Sequence, residues 1–159
     1  LKQIAERTQA FDNFEVTAEH IYFQFSEKRL NHEIETLKKR GIKKIVSLTE
    51  RHHSKEVLQK HFEAHHFAIP DLEAPTYEQA VQLAAIIKDA KKKGEKIAVH
   101  CLAGIGRTST MLMAAHLVLG EDLEKVKAQI AKQNASFVLT GSQAEFVHAV
   151  AKKTHRKLD

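Results

Sequence analysis

Apolar and polar positions follow two periods along this chain. Short apolar runs of strand length, such as Ile42-Lys43-Lys44-Ile45-Val46-Ser47-Leu48 and Ile97-Ala98-Val99, are separated by segments in which apolar residues recur every three or four positions. The pattern predicts strands over 14–16, 21–25, 42–48, 66–69 and 97–100. It predicts helices over 31–40, 53–62, 76–93, 108–119, 123–133 and 142–152. The segment 76–93 is the clearest: Ala80, Leu83, Ala84 and Ile87 fall on one face and Gly94 ends it, as Gly41 ends the helix before it. Strands alternating with helices imply an α/β fold with a mainly parallel central sheet flanked by helices on both faces. No repeat, linker or low-complexity tract interrupts the pattern, so residues 1–159 are expected to form a single domain.

Charge changes the picture modestly. The formal net charge is +5, with 11 histidines that add charge in mild acid. A basic surface raises the local concentration of polyanions. Much of the lysine (Lys125, Lys127, Lys132, and the run Lys91-Lys92-Lys93 at a helix end) also suits solvated helix faces. The histidines His52, His53, His61, His65 and His66 invite a metal, yet they have no cysteine partners and no ligand spacing, and no metal or cofactor is expected. No apolar run is long enough to span a membrane. The chain begins at Leu1 rather than methionine; the cytoplasm is the default location, and an exported or periplasmic enzyme stays open.

The chemistry concentrates in His100-Cys101-Leu102-Ala103-Gly104-Ile105-Gly106-Arg107-Thr108. The lone cysteine stands six positions before an arginine, with two glycines between them, an apolar strand before and a helix after. A cysteine attacks phosphorus as its thiolate, and a free thiol titrates at about pH 8.5 unless a helix N-terminus or converging N–H groups lower it. Backbone N–H groups of 102–107 would converge on one point, with Gly104 and Gly106 permitting the backbone angles of such a nest. Arg107 supplies a planar fork for two phosphate oxygens. Thr108 can hydrogen-bond the sulfur, and His100 is expected to brace the loop from behind. Meeting the glycines, histidine and threonine as well as Cys-x5-Arg multiplies several frequencies of about 5–7%, leaving a chance match on the order of one in 10⁵.

The pattern His-Cys-x5-Arg-Ser/Thr resembles the protein tyrosine phosphatase superfamily, with every fixed position met. The resemblance implies a phospho-cysteine intermediate and an aspartate, on a separate upstream loop, that protonates the leaving oxygen and then activates water. Asp71, in Ile69-Pro70-Asp71-Leu72-Glu73-Ala74-Pro75-Thr76 and 30 residues before Cys101, matches that position in small dual-specificity phosphatases. Glu73 is a fallback expected only to line the rim. Ser47-Leu48-Thr49-Glu50-Arg51 is also similar to small atypical members, and Glu50 and Arg51 would support the loop. Gln143 falls near the water-positioning glutamine of related enzymes. The compact length leaves no room for the extra loop of tyrosine-specific domains, which implies a shallower pocket.

Downstream, Ala103-Gly104-Ile105-Gly106-Arg107-Thr108-Ser109-Thr110-Met111-Leu112-Met113 is similar to tyrosine-phosphatase-like phytases, although their Asp-His and Trp-Pro pattern around the acid is absent. Apolar Leu102, Ala103 and Ile105 disfavour 3-phosphoinositide phosphatases, which carry lysines in the loop. A single cysteine argues against arsenate reductases. The favoured reading is a cysteine-dependent phosphomonoesterase acting on inositol polyphosphate. The alternative is a dual-specificity phosphatase acting on phosphoprotein, with an RNA 5′-phosphatase or a catalytically silent phosphate-binding module ranked lower. The expected partner is a phosphorylated substrate rather than nucleic acid, and the expected state is a monomer.

Overall fold

The computed structural model describes residues 8–11, 14–19, 27–50, 55–100, 106–133 and 139–158. The strands are β1 (Thr8–Phe11), β2 (Phe14–Glu19), β3 (Ile42–Ser47), β4 (Glu63–His66) and β5 (Lys96–His100). The helices are α1 (Glu27–Lys39), α2 (Lys55–His61), α3 (Tyr77–Lys93), α4 (Gly106–Val118), α5 (Leu123–Gln133) and α6 (Gly141–Leu158). Among the described residues, one sheet of five strands runs in the order β1-β2-β5-β3-β4. Only the β1–β2 pair is antiparallel; β2–β5, β5–β3 and β3–β4 are parallel. The expected fold class is therefore the observed one.

Period-two alternation sorts the sheet residues between two cores. Ile97 and Val99 pack with α3, α4, α5 and α6, whereas Ala98 packs with Ile34 and Leu37 of α1 and Leu58 of α2. On β3, Ile42 and Ile45 share the α1–α2 side although they are three residues apart. A register shift between Ile42 and Lys44 in the pairing with β5 accounts for this, because one extra residue exchanges the faces. Each fully buried Leu, Ile or Val contributes about 1.5–3 kcal/mol relative to exposure.

Helix α4 lies at the centre of the larger core. Every residue from Arg107 to Leu117 is buried. Over this stretch the helix has no solvent face: Met111, Leu112, Met113 and Ala115 fill the space between sheet and helices, and the polar residues of its first turn, Arg107 to Thr110, are buried as well.

The chain leaves β3 for β4 on one side and then returns to β5 on the other. Right-handed crossovers in opposite directions put α2 on one face and α3 on the other. The C-terminal ends of β3 and β5 meet at this reversal, where open α/β sheets bind their ligands.

Strand β4 differs from its expected position. The apolar run 66–69 pointed to a strand there, and the ladder instead pairs Lys44 with Glu63 through Ser47 with His66. Lys44 anchors that register. Its side chain is 2% exposed, and its ammonium lies 2.7 Å from Glu63, 3.1 Å from Asp89 and 3.5 Å from Glu95. Burial pushes the Lys44 pKa down, but hydrogen bonds to Glu63 and Asp89 and the nearby negative charges outweigh it, leaving the group above the ordinary lysine value. Past the strand, Phe67 N–H still donates to Ser47 and Ile69 N–H to Leu48, so the apolar run extends the β3 contact without forming the strand.

Other boundaries shift outward. Helix α1 begins at Glu27, four residues before the periodic segment, β2 runs on to Glu19, and β1 adds an edge strand that its short sequence did not announce. The predicted strand over 21–25 lies outside the described residues.

Candidate active site

Strand β5 ends at His100 and helix α4 begins at Gly106, so the described ends bracket Cys101, Leu102, Ala103, Gly104 and Ile105, which themselves lie outside the described residues. His100 is 2% exposed, and its Nε2 is 2.7 Å from the hydroxyl of Ser47, also buried. That bond ties the end of β5 to the end of β3, and Leu48 N–H adds a second tie to the His100 carbonyl. His100 thus links two strands; the loop it is expected to brace lies outside the described residues. Thr108 is fully buried in the first turn of α4.

Gly106 has a different reason from the one its sequence context implied. It is not among the residues with positive φ, where Gly41, Gly94 and Gly120 are found. Its constraint is space: a Cβ at 106 would lie 3.1 Å from Gln143 Oε1 and 3.2 Å from Nε2.

Arg107 joins this helix to the predicted acid loop. It is 4% exposed; its Nη1 donates to the Ile69 carbonyl at 2.9 Å, and its Nε lies 3.7 Å from Asp71 Oδ1. Burying a guanidinium is costly unless it is paired and hydrogen-bonded, and the loop supplies both partners. Asp71 keeps 59% of its side chain exposed. The sequence spacing of 36 residues between Asp71 and Arg107 therefore collapses to one ion pair.

The loop itself is held by side chains from three elements. Glu50, beyond β3, accepts the Asp71 N–H at 3.3 Å, so it supports the aspartate loop; Arg51 lies outside the described residues. At α3, Thr76 and Gln79 form a reciprocal capping box, and Gln79 Nε2 also donates to the Ala68 carbonyl at 3.3 Å. At α6, Thr140 and Gln143 form a second such box: Gln143 N–H donates to Thr140 Oγ1 at 3.3 Å and Thr140 N–H to Gln143 Oε1 at 2.9 Å. Gln143 Nε2 donates onward to the Glu73 carbonyl at 3.2 Å, and Thr140 Oγ1 to the Leu72 carbonyl at 2.9 Å. Gln143 is 1% exposed. Thr140 and Leu72 are the site residues that sequence reasoning missed. The Thr-x-x-Gln spacing at 140–143 was a visible signal for the first, and nothing local announced the second.

Leu72 stands at φ 69°, the one non-glycine residue with positive φ among those described, with 66% of its surface exposed. For an L-residue other than glycine, asparagine or aspartate this conformation costs about 1–2 kcal/mol. Its N–H donates to Asp71 Oδ1 at 3.0 Å.

The described histidines are dispersed rather than convergent. His65 Nε2 lies 2.7 Å from Glu63, and His66 Nε2 lies 2.5 Å from the Thr49 carbonyl; His52 and His53 lie outside the described residues. Among the described residues, no three His, Cys, Asp or Glu side chains are grouped to hold a metal ion, and no helix is long and apolar enough to cross a membrane.

A nucleotide-style sheet switch point carrying an arginine at a helix start, opposed by an aspartate loop, is the arrangement of a cysteine-type phosphatase of the dual-specificity and protein tyrosine phosphatase class. The fold is shared with several solved phosphatase structures. Tk-PTP superposes with a TM-score of 0.75 at 24% identity, over 96% of this chain and 97% of that one. PTPMT1 gives 0.74 at 18% identity over 95% and 98%, and is also known in complex with PI(5)P. Human DUSP28 gives 0.70 at 11% identity over 89% and 92%. The chain belongs to the family described as polymorphic toxin system, DSP-PTPase phosphatase, whose sequence model matches residues 24–121.

Proposed function

We propose that residues 1–159 form one phosphatase domain that hydrolyses phosphate monoesters through a phospho-cysteine on Cys101, as the phosphatase of a polymorphic toxin system. The observation that carries this reading is the pairing of buried Arg107 with Asp71 and the Ile69 carbonyl. It supports reading Arg107 as the fork that grips phosphate and Asp71 as the proton donor of one site. In the first step Cys101 Sγ bonds to phosphorus, the bond to the ester oxygen breaks, and Asp71 gives that oxygen its proton. In the second, water attacks phosphorus, Asp71 takes the water's proton, and the Cys101 thiolate leaves with help from Thr108. Residues 102–107 donate N–H groups to the phosphate oxygens, Arg107 follows them into the transition state, and His100 keeps the loop against the sheet.

Two substrate classes compete. Inositol polyphosphate is favoured by the net charge of +5 and by the run from Gly106 to Met113. Phosphoprotein is favoured by the described rim, where exposed Glu50, Asp71 and Glu73 gather around an exposed Leu72. Three carboxylates at a pocket mouth repel a polyphosphate more than they repel a single phosphate on a peptide. Phosphate release should be measured on inositol hexakisphosphate, phosphotyrosine and phosphothreonine peptides, and an RNA 5′-triphosphate, with Cys101→Ser as the blank. Preference for the inositol compound assigns the basic charge to substrate capture, and preference for peptides assigns the acidic rim to substrate choice. Release that persists in Cys101→Ser, or no release from any member, would overturn the proposal.

A further inference from the structure

We infer that Thr140 is a positioning residue for Asp71, acting through the left-handed backbone of Leu72. The inference rests on the acid role of Asp71 proposed above. Both peptide groups of Leu72 are engaged: its N–H is held by the Asp71 carboxylate and its carbonyl by the Thr140 hydroxyl. Asp71 Oδ1 is thus directed by the same residue whose φ of 69° is sterically disfavoured for leucine. Such a conformation persists only where the surroundings over-determine it. Leu72's own side chain does not supply that constraint, because it is 66% exposed. The Thr140 hydroxyl at 2.9 Å does, with Ser142 Oγ at a marginal 3.5 Å.

Thr140 is itself fixed. Its N–H and Oγ1 are both engaged by Gln143 in the α6 capping box, and Gln143 also holds Glu73, on the far side of Leu72. The N-terminal end of α6 therefore clamps two successive carbonyls of the acid loop, those of Leu72 and Glu73. Releasing the first lets Leu72 relax to negative φ. That rotation turns its N–H away from Asp71 and moves the carboxylate from its place beside Arg107.

The test separates a lost proton donor from a damaged site. A general acid matters most when the leaving group is a basic alkoxide and least when it is a weakly basic phenolate. Values of kcat/KM should be measured for an alkyl phosphate and for p-nitrophenyl phosphate, for the wild type, Thr140→Val, Thr140→Ser and Asp71→Asn. Thr140→Val should lower the alkyl rate about tenfold, the scale of one lost hydrogen bond, and the aryl rate much less. Thr140→Ser should restore most of the alkyl rate. Leu72→Val, at an exposed position that does not disturb the cap, should reproduce the selective loss, because a β-branched residue does not hold positive φ.

If Asp71→Asn affects both esters alike, the acid role of Asp71 fails. If Asp71→Asn is selective while Thr140→Val and Leu72→Val are neutral or depress both esters equally, the positioning role of Thr140 is overturned.

Discussion

The Gln143 amide stands so close to Gly106 that a Cβ there would lie 3.1 Å from its Oε1 and 3.2 Å from its Nε2, and a methyl group fits only if the amide gives way. The amide cannot yield easily, because it is held to Thr140 on one side and to Glu73 on the other. Gly106→Ala should therefore displace Gln143 and loosen the acid loop. An overpacked contact costs about 1–3 kcal/mol, so kcat/KM on an alkyl phosphate should fall roughly tenfold or more. Steady-state kinetics alongside a melting curve would check this. A wild-type rate with an unchanged melting temperature would mean that Gln143 moves freely.

Arg107→Lys keeps the charge and loses the fork. The lysine cannot hold the Ile69 carbonyl and two phosphate oxygens together. Removing a comparable transition-state contact costs about 10²–10³ in kcat, and a loss of that order is expected in single-turnover measurements. A loss under about fivefold would assign the phosphate grip elsewhere.

Asp71→Asn retains size and hydrogen-bonding capacity but cannot supply the proton. The expected loss in kcat is about 10²–10⁴-fold on a substrate with a basic leaving group. An unchanged rate would return attention to Glu73, the neighbouring carboxylate on the same loop.

Ser47→Ala leaves buried His100 without its 2.7 Å partner on β3. An unsatisfied buried polar group costs about 1–3 kcal/mol, which urea denaturation would read as a lower midpoint. Activity should fall in parallel, since the link holds the end of β5, which precedes Cys101 in the sequence, to the end of β3.

The Lys44 cluster sets a pH window for stability. Hydrogen bonds from Lys44 hold the Glu63 and Asp89 carboxyls below their ordinary pKa values, helped by His65 and Lys93 respectively. Groups with depressed folded-state values stabilise above the unfolded value and lose that contribution as pH falls through the folded one. Lys44 is raised, so its contribution is complete below the ordinary lysine value and lost as pH rises through the folded one. Both contributions are present between roughly pH 4.5 and 10.5. Lys44→Met should flatten the acid side of the melting temperature against pH. An unchanged slope would place the acid sensitivity at other carboxylates.

Much of this was legible in the residues. The Cys-x5-Arg segment and the aspartate loop pointed to the class, and 76–93 carried its helix, down to the left-handed Gly94 that closes it. Periodicity failed at β4, because an edge strand takes its place from its neighbour's ladder and from Lys44, whereas the apolar run beside it packs without pairing as a strand. It also could not give the reason for Gly106, which lies in a side chain 37 residues further on. The constraint on Leu72 was invisible for the same reason: its hydrogen-bond partner Thr140 is distant in the chain.

The burial of α4 from Arg107 to Leu117 gives the helix and the Asp71 loop different clocks. Amides of a helix enclosed on every side exchange with solvent only when the whole fold opens, whereas those of an exposed loop held by a few hydrogen bonds exchange through local fluctuations. Arg107 rides on the slow element and Asp71 on the fast one. The Arg107–Asp71 ion pair therefore joins a helix that opens only with the whole fold to a loop that opens on its own.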